Sequence, residues 1–359
     1  RAEPGYSGPM HSIRSDPTGP VGVLLIGLGT PDSTSVRDVR NFLREFLSDP
    51  RVLTMPALGR WLLLHLVILR VRPRRSAEAY AKIWRPEGSP LLVHSQALRD
   101  RVACELGEDF RVELGMRYGR PELEAAIHRL AASGVTRILT LPLFPQNSEA
   151  VTGSMLARVD EIIAAGGFEF PVNTIRDFCD APEFIEAQAA RARTLLEESD
   201  VEHIVLSYHG IPESQLTAGS GCLAEAACCD NPEAVRVGCY RAQCFATSRA
   251  LIRALELPAD FCTTAFQSRM GASGPWIRPF TDEVVPELAA RGIRRLAVLC
   301  PSFTADCLET LEEINIRLRE QWSSLGGESL TFIPCVNSEE KWVRGVSEML
   351  RRATAQPAP

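Results

Sequence analysis

Two short motifs of this chain carry residue types that suit proton transfer and cation binding. Residues 207–212 read Ser-Tyr-His-Gly-Ile-Pro and place His209 on a tight turn directly after an apolar run. The segment 304–313 carries three acids, Asp306, Glu309 and Glu313. If that segment is helical, at about 100° per residue the three carboxylates fall within an arc of roughly 60°. An imidazole exchanges protons near neutral pH and carboxylates bind hard cations, so the two motifs predict a site that removes protons and delivers a metal ion.

Both motifs belong to an alternation of strand-like and helix-like segments. The strand-like segments are 21–26, 110–116, 136–143, 203–208, 261–267, 295–299 and 329–333. Helical patterns separate them, and the predicted helix 306–320 carries the acids. This alternation in both halves predicts two α/β lobes with parallel sheets, divided near residue 175. Binding sites in such folds lie at the carboxyl ends of strands, where the His209 turn falls.

Length, charge and cysteine content narrow the class of protein. A length of 359 residues suits two domains, and a net charge of −6 argues against a general nucleic-acid binder. Apolar runs stay below ~18 residues, so no transmembrane span is expected. Residues 1–20 are expected to be a disordered N-terminus or a tag without an export signal, with Met10 as the natural start. The 11 cysteines are therefore expected to be reduced thiols or metal ligands.

The order of motifs along the chain resembles the ferrochelatase family, which inserts ferrous iron into a porphyrin to make haem. The resemblance is carried by segments 28–32, 46–52, 80–84, 88–91, 116–118, 142–146, 152–154, 207–212, 267–269 and 303–313, with Trp276. It implies two Rossmann-like lobes, 21–175 and 176–359, around a porphyrin cleft. It also implies a lyase that metallates protoporphyrin IX with Fe²⁺ as the terminal step of haem synthesis. Coproporphyrin is the alternative substrate.

The resemblance also implies roles for individual residues. His209 resembles the family's catalytic histidine, which accepts pyrrole protons or ligates iron, and Glu309 resembles the catalytic acid across the porphyrin plane. Asp306 and Glu313 extend a carboxylate row along the iron path. The porphyrin-binding residues it implies are Leu28, Arg117, Tyr118, Trp276 and Phe303. Each has a structural alternative: a histidine that bonds its own loop, a solvated acidic helix face, an arginine in an inter-lobe salt bridge or an aromatic loop cover.

Residues 56–75 combine an apolar stretch at 61–69 with a basic end that contains Arg70, Arg72, Arg74 and Arg75. The stretch is too short to span a bilayer but suits the membrane interface. A buried core helix explains it almost as well. The resemblance implies that this region, the lip, borders the porphyrin cleft. We therefore expect a cytoplasmic protein in peripheral contact with the inner face of the membrane, and a homodimer is a further expectation.

Five cysteines crowd into the insert 218–244, at Cys222, Cys228, Cys229, Cys239 and Cys244. Zinc sites usually show paired gaps of about two to four residues, whereas these irregular gaps suit iron–sulfur ligation. Some ferrochelatases carry a [2Fe–2S] cluster, but the animal and actinobacterial ligand arrangement is absent here, because Glu149 stands at one cysteine position and no cysteine follows Cys335. An internal cluster in this insert, as in some other bacterial members, is therefore the hypothesis. The expected ligands are Cys222, Cys229, Cys239 and Cys244, with Cys228 as the alternative to Cys229. Free thiols in a flexible loop are the other interpretation.

Two rival functions fit parts of the same pattern. The first is a chelatase that inserts cobalt or nickel into a related tetrapyrrole, and Cys307 and the single motif histidine argue against it. The second is a non-enzymatic haem or iron–sulfur sensor on the same scaffold. The presence of both His209 and Glu309 argues against the sensor.

Overall fold

In a computed structural model, which describes residues 19–216, 226–269 and 275–355, the chain builds two parallel sheets. Within those ranges the strands are β1 (Val21–Thr30), β2 (Phe110–Gly119), β3 (Arg137–Pro142), β4 (Val172–Thr174), β5 (His203–His209), β6 (Cys262–Gln267), β7 (Arg295–Leu299) and β8 (Ser329–Ile333). The strand orders are β2-β1-β3-β4 and β6-β5-β7-β8. All six strand pairings are parallel and the two orders are equivalent, so the predicted pair of parallel-sheet lobes is confirmed.

The central strands are apolar along nearly their whole length because helices cover both faces of each sheet. β1 is buried at nine of its ten positions, and β5 is buried at every position except His209. Near-continuous apolar runs of this kind are typical of parallel sheets. The sequence pattern predicted seven of the eight strands in the described ranges. It missed β4, which has three residues and pairs only with β3, because so short a strand shows no period.

Helices flank both sheets. In the described ranges they are α1 (Val36–Ser48), α2 (Ala57–Leu62), α3 (Leu69–Ile83), α4 (Pro90–Leu106), α5 (Leu123–Ala132), α6 (Ser154–Gly166), α7 (Pro182–Glu197), α8 (Pro232–Arg236), α9 (Tyr240–Ala254), α10 (Thr281–Ala290), α11 (Arg319–Ser324) and α12 (Glu340–Ala355). None of the described helices is long and apolar enough to cross a membrane.

Three further stretches have the wider hydrogen bonding of a π-helix: Leu63–Ile68, Glu149–Gly153 and Glu309–Leu318. The first lies in the lip between α2 and α3, and the third, which we call the acid helix, leads into α11. π-Helical turns are rare and are frequent at functional sites. The lip and the acid helix are therefore candidate functional regions.

The two lobes share one hydrophobic core. A single buried cluster contains Leu25 and Leu114 from the first sheet together with Leu206 and Tyr208 from the second. The last helix, α12, packs against α4 and α7. Helix α12 therefore contacts both halves of the chain, since α4 lies in the first half and α7 in the second.

The strand orders place a topological switch point in each lobe. From β1 the chain moves outward to β2 and then returns to β3 on the other side, and the route from β5 through β6 to β7 is the same. Ligands of open α/β sheets bind outside the carboxyl ends of the strands at such points. His209 ends β5 and lies at the switch point of the second lobe.

Candidate active site

The turn that follows β5 holds the ring of His209. Its Nδ1 lies 2.6 Å from the carbonyl oxygen of Gly210. Because a carbonyl oxygen only accepts, Nδ1 carries the proton of this contact, and Nε2 of the neutral ring keeps its lone pair. The His209 N–H donates to the Ser302 hydroxyl, and the His209 carbonyl accepts from the Tyr240 hydroxyl. The turn therefore presents a fixed proton acceptor at Nε2.

The motif needs a glycine after the histidine because two chain segments meet there. The Gly210 N–H donates to the Gln267 carbonyl at 2.7 Å. A Cβ at position 210 would lie 2.8 Å from that carbonyl oxygen, closer than side chains tolerate. Glycine thus lets β5 and the end of β6 approach each other beside His209.

Glu313 on the acid helix is a neighbour of His209. Its carboxylate accepts from the Ser268 N–H at 2.8 Å and from the Ser268 hydroxyl. Ser268 has φ +64°, a left-handed conformation that non-glycine residues rarely adopt. Burial raises the pKa of Glu313, and the Ser268 hydrogen bonds and the nearby His209 offset part of that rise. The structure thus brings an imidazole and a carboxylate together at the end of β5.

Glu309 begins the acid helix and is half-buried. Its carbonyl accepts from Gln267 Nε2 at 2.8 Å, and Gln267 Oε1 accepts from the Ser207 hydroxyl at 2.7 Å. Two side chains of α3 lie near its carboxylate. Burial raises the pKa of Tyr80 well above its usual value, and Glu309 raises it further. Burial lowers the pKa of Arg72, and Glu309 opposes that change.

Asp306 is occupied by other contacts. The residue is only 3% exposed, and the chain becomes helical only after it. Its Oδ1 accepts from the Cys335 N–H and the Thr310 hydroxyl, both at 3.1 Å, and its Oδ2 accepts from the Asn337 side-chain amide at 2.8 Å. The predicted arc of three acids assumed α-helical pitch through residue 306. The carboxylate of Asp306 instead holds the connection between β8 and α12.

Glu312 is a buried acid that the sequence analysis did not single out. Its Oε1 lies 3.0 Å from Lys82 Nζ, and its Oε2 lies 2.8 Å from Arg317 Nε. Lys82 belongs to α3, the helix that continues from the lip. No sequence pattern indicates this pairing, because the two residues are 230 positions apart.

Arg117 and Tyr118 lie in a polar network around Asp49. Oδ2 of Asp49 accepts from Arg117 Nη2 at 2.7 Å, from the Tyr118 hydroxyl at 2.9 Å and from the Ser154 hydroxyl at 2.5 Å. Its Oδ1 accepts from the Arg51 N–H at 2.8 Å. Tyr118 is 1% exposed. The Arg117 guanidinium and the Tyr118 hydroxyl, which the resemblance assigned to porphyrin binding, therefore form hydrogen bonds within the first lobe.

Trp276 and Phe303 border the His209 turn. Phe303 packs edge-on against the His209 ring at 6.2 Å between centroids. Trp276 forms an isolated β-bridge with Pro212, and its buried Nε1 has no hydrogen-bond partner among the described residues. Leu28, near the end of β1, is partly buried against the cluster that underlies the lip. Apolar side chains of this kind are typical of sites that bind flat aromatic ligands.

The lip exposes large apolar side chains to solvent. These are Leu58, Trp61, Leu62, Leu66, Val67 and Val71. Within the π-helical stretch Leu63–Ile68, Leu64 is buried and packs with Val39 and Tyr80. The lip is therefore anchored on one face and apolar on the other, which a purely buried core helix would not be.

The described cysteines of the insert lie close together. Cys229 Sγ accepts from Arg241 Nη1 at 2.9 Å and lies 3.8 Å from Cys228 Sγ. Burial raises the pKa of Cys244 well above its usual value, and the nearby Cys239 and Cys229 raise it further. Cys222 lies outside the described residues.

In the described ranges, no group of three or more His, Cys, Asp or Glu side chains is placed to hold a metal ion. The described thiols therefore have suitable chemistry for an iron–sulfur cluster but do not form a ligand set as they stand. The predicted [2Fe–2S] cluster gains no support from this part of the chain.

The ferrochelatase family model matches residues 20–354. This chain belongs to the ferrochelatase family. A ferrochelatase of Coxiella burnetii is 46% identical over 338 residues, which cover 93% of this chain and 94% of the relative. A ferrochelatase of Legionella pneumophila is 43% identical over 334 residues, which cover 92% and 98%. The predicted ferrochelatase function and lyase class are thereby confirmed.

Solved structures of other chelatases share the fold of this ferrochelatase. The sirohydrochlorin chelatase SirB from Bacillus subtilis subspecies spizizenii, in complex with cobalt, matches with a TM-score of 0.54 and 9% identity, covering 94% of this chain and 97% of SirB. SirB from Bacillus subtilis with Fe³⁺ matches with a TM-score of 0.50 and 12% identity, covering 94% and 96%. At these identities the likeness concerns the two-lobed fold alone.

Proposed function

We propose that this ferrochelatase inserts Fe²⁺ into protoporphyrin IX, with His209 as the proton acceptor and Glu309 as the catalytic acid. The observation that carries the proposal is the placement of His209 beside Glu313 at the carboxyl end of β5. There, the imidazole of His209 is near the carboxylate of Glu313, and the ring of Phe303 packs against the imidazole. Proton uptake and metal delivery therefore meet at one point.

The reaction exchanges the pyrrole N–H protons for a divalent cation. Two pyrrole protons leave for each Fe²⁺ that binds. His209 Nε2 can take one, because Nδ1 already carries a proton and is bonded to Gly210, and the carboxylate of Glu309 can take the other. The carboxylates of Glu309 and Glu313 are hard ligands that suit Fe²⁺ on its way to the macrocycle. The iron path in this proposal omits Asp306, because three hydrogen bonds already occupy its oxygens.

Leu28, Phe303 and Trp276 are proposed to contact the porphyrin face. Arg117 and Tyr118 are proposed to support that wall from behind through Asp49. The exposed apolar side chains of the lip favour protoporphyrin over coproporphyrin, which carries more carboxylates. This preference rests on desolvation, because each ionised carboxylate that enters an apolar site loses hydration.

The test follows porphyrin absorption under anaerobic conditions after Fe²⁺ is added to wild type, His209→Ala and Glu309→Gln. We expect the free-base bands of protoporphyrin to convert with wild type, and kcat to fall at least ~100-fold in each variant. Exposed residues supply the matched controls His128→Ala and Glu287→Gln, which should retain wild-type kcat. Wild-type turnover in either site variant would remove its assigned role. Conversion of coproporphyrin alone would overturn the choice of substrate.

We further propose that the lip rests on the inner face of a membrane, where an apolar porphyrin can enter. Leu58 is 71% exposed and Trp61 is 54% exposed, which is unusual for side chains of this size unless a surface covers them. Flotation with vesicles that contain anionic lipid should recover wild type and lose most of Leu58→Ser/Trp61→Ser. Leu325→Ser, an exposed leucine outside the lip, is the control. Equal flotation of all three proteins would exclude the lip as the contact.

The iron–sulfur cluster is likewise a proposal, with Cys222, Cys229, Cys239 and Cys244 as its ligands. The proposal rests on the crowding of five cysteines into the insert 218–244. Anaerobically purified protein should then contain equal amounts of iron and acid-labile sulfide and absorb visible light. Cys239→Ser should lose both signals, whereas Cys104→Ser, at an exposed thiol, should keep them. Colourless wild-type protein without sulfide would exclude the cluster.

A further inference from the structure

We propose that Glu312 is a positioning residue that ties the lip-bearing helix α3 to the acid helix through Lys82. The inference rests on the proposed function, because it concerns how Glu309 and Glu313 are held relative to a porphyrin at the lip. It concerns a residue outside the proposed catalytic set.

The contacts of Glu312 are specific and sheltered. The Glu312 side chain is 7% exposed, and its two oxygens bind different cations, Lys82 Nζ at 3.0 Å and Arg317 Nε at 2.8 Å. Burial of a carboxylate is costly unless it is paired, and removal of one partner leaves an uncompensated charge. The paired arrangement is therefore strongly preferred over one in which α3 and the acid helix have moved apart.

The contacts continue from Glu312 to the proposed metal-binding acid. Arg317 Nη2 lies 4.0 Å from Glu313 Oε2, and Glu313 is bonded to the backbone and hydroxyl of Ser268. A polar chain thus runs from Lys82 on α3 to Ser268 after β6. It passes through the carboxylate that neighbours His209.

Helix α3 also lies beside the other proposed acid. Helix α3 and the acid helix pack against each other. Glu309 is near Tyr80 and Arg72 of α3, where its charge acts to raise the pKa of both side chains. Leu311 and Ile316 of the acid helix pack against the buried cluster that contains Tyr80. Apolar packing holds the two helices in contact but does not fix their register, because such contacts are not directional. The Lys82–Glu312 pair supplies a directional contact between them.

A displaced α3 would shift the lip and the surroundings of Glu309 together. A porphyrin can still bind when the Lys82–Glu312 ion pair is lost, because the proposed apolar walls of Leu28, Phe303 and Trp276 remain. The acids would then be misplaced relative to the bound macrocycle. Errors in position of this kind reduce the rate of the bound complex more than they weaken binding.

The experiment is a double-mutant cycle on anaerobic Fe²⁺ insertion with Lys82→Met, Glu312→Gln and the double variant. We expect kcat to fall about tenfold in each single variant, while the KM for porphyrin stays within about twofold. The double variant should match the single variants rather than fall about a hundredfold, because both changes remove one contact. Lys82→Arg should keep kcat close to wild type, unlike Lys82→Met, since arginine still presents a cation to Glu312.

A matched control comes from a second ion pair between two elements of the fold, here a helix and a strand. Arg129 on α5 is 49% exposed, as Lys82 is 50% exposed, and it lies 2.8 Å from Glu113 on β2. Arg129→Met and Glu113→Gln should leave kcat and the porphyrin KM unchanged. This control separates the loss of any ion pair from the loss of the tie between α3 and the acid helix.

Three results would overturn the proposal: wild-type kcat in folded Lys82→Met, multiplicative effects in the double variant, or no rescue by Lys82→Arg. If Glu312→Gln does not fold, the comparison of Lys82→Met with Lys82→Arg decides alone, because Lys82 is half-exposed. Failure of the proposed function itself would be seen separately, as wild-type protein that does not metallate the porphyrin.

Discussion

Substitution of Asp49 by Asn should destabilise the protein by about 3–5 kcal/mol, the typical cost of breaking a buried ion pair by removal of one partner. Asp49 is 6% exposed, and its Oδ2 accepts from Arg117, Tyr118 and Ser154. Asn keeps the size and one acceptor oxygen but loses the charge, and its amide group would face these donors. The Arg117 charge, largely shielded from water, would then have no counter-charge at this position.

The assay is urea unfolding at neutral pH, followed by tryptophan fluorescence. Glu149→Gln is the control, because it removes the adjacent but exposed pair of Glu149 with Arg51. Exposed ion pairs contribute about 0–1 kcal/mol, so the control should lose at most that amount. If Asp49→Asn loses no more than the control, the network does not contribute to stability as its geometry requires.

The same network predicts how the difference depends on pH. Burial alone would raise the pKa of Asp49, but hydrogen bonds from Ser154, the Arg51 N–H and Tyr118 together hold it below its usual 3.8. The folded protein therefore binds this proton less tightly than the unfolded chain, and the carboxylate stabilises the fold above the unfolded pKa. The advantage of wild type over Asp49→Asn should be complete at neutral pH and shrink as pH falls below about 4.

Three further predictions address other contacts. Gly29→Ala should prevent folding or strongly destabilise the protein, because the new Cβ would lie 1.8 Å from the Tyr118 carbonyl oxygen. Gly88 also has positive φ but open space around it, so Gly88→Ala should lower the free energy of unfolding by only about 1–2 kcal/mol, as measured by thermal melting. Burial raises the pKa of Glu313 above the usual Glu value of 4.5. The rate of iron insertion should therefore begin to fall on acidification while the pH is still above 4.5. The pH–rate profile of Glu313→Gln should lack this acid limb. Gln267→Ala should lower kcat about tenfold without unfolding, because it frees the carbonyl at the start of the acid helix.

Each of these predictions has a contradicting result. Equal melting temperatures for the two glycine variants would mean that the strand ends do not approach as closely as described. An unchanged acid limb in Glu313→Gln would assign that titration to another group. Wild-type kcat in Gln267→Ala would show that its hydrogen bond does not set the position of the acid helix.

The fold could be predicted in outline because parallel strands that are buried on both faces leave continuous apolar runs in the sequence. Seven strands and the turn at His209 followed from such runs and from the Gly-Ile-Pro sequence after the histidine. β4 could not be predicted, since three residues carry no period. The packing of α12 on α4 and α7 also left no local signal, because both helices are far away in sequence.

The sequence by itself determined the family, the two-lobed α/β architecture, and an imidazole and acids at strand and helix ends. Only the tertiary structure decided what each acid does. Asp306 lies before the acid helix, and its carboxylate accepts hydrogen bonds from the connection between β8 and α12. Glu312 instead forms an ion pair with Lys82, 230 positions away. The physical reason is that a carboxylate is available for chemistry only when no neighbouring donor occupies it, and those donors come from segments that only folding brings together.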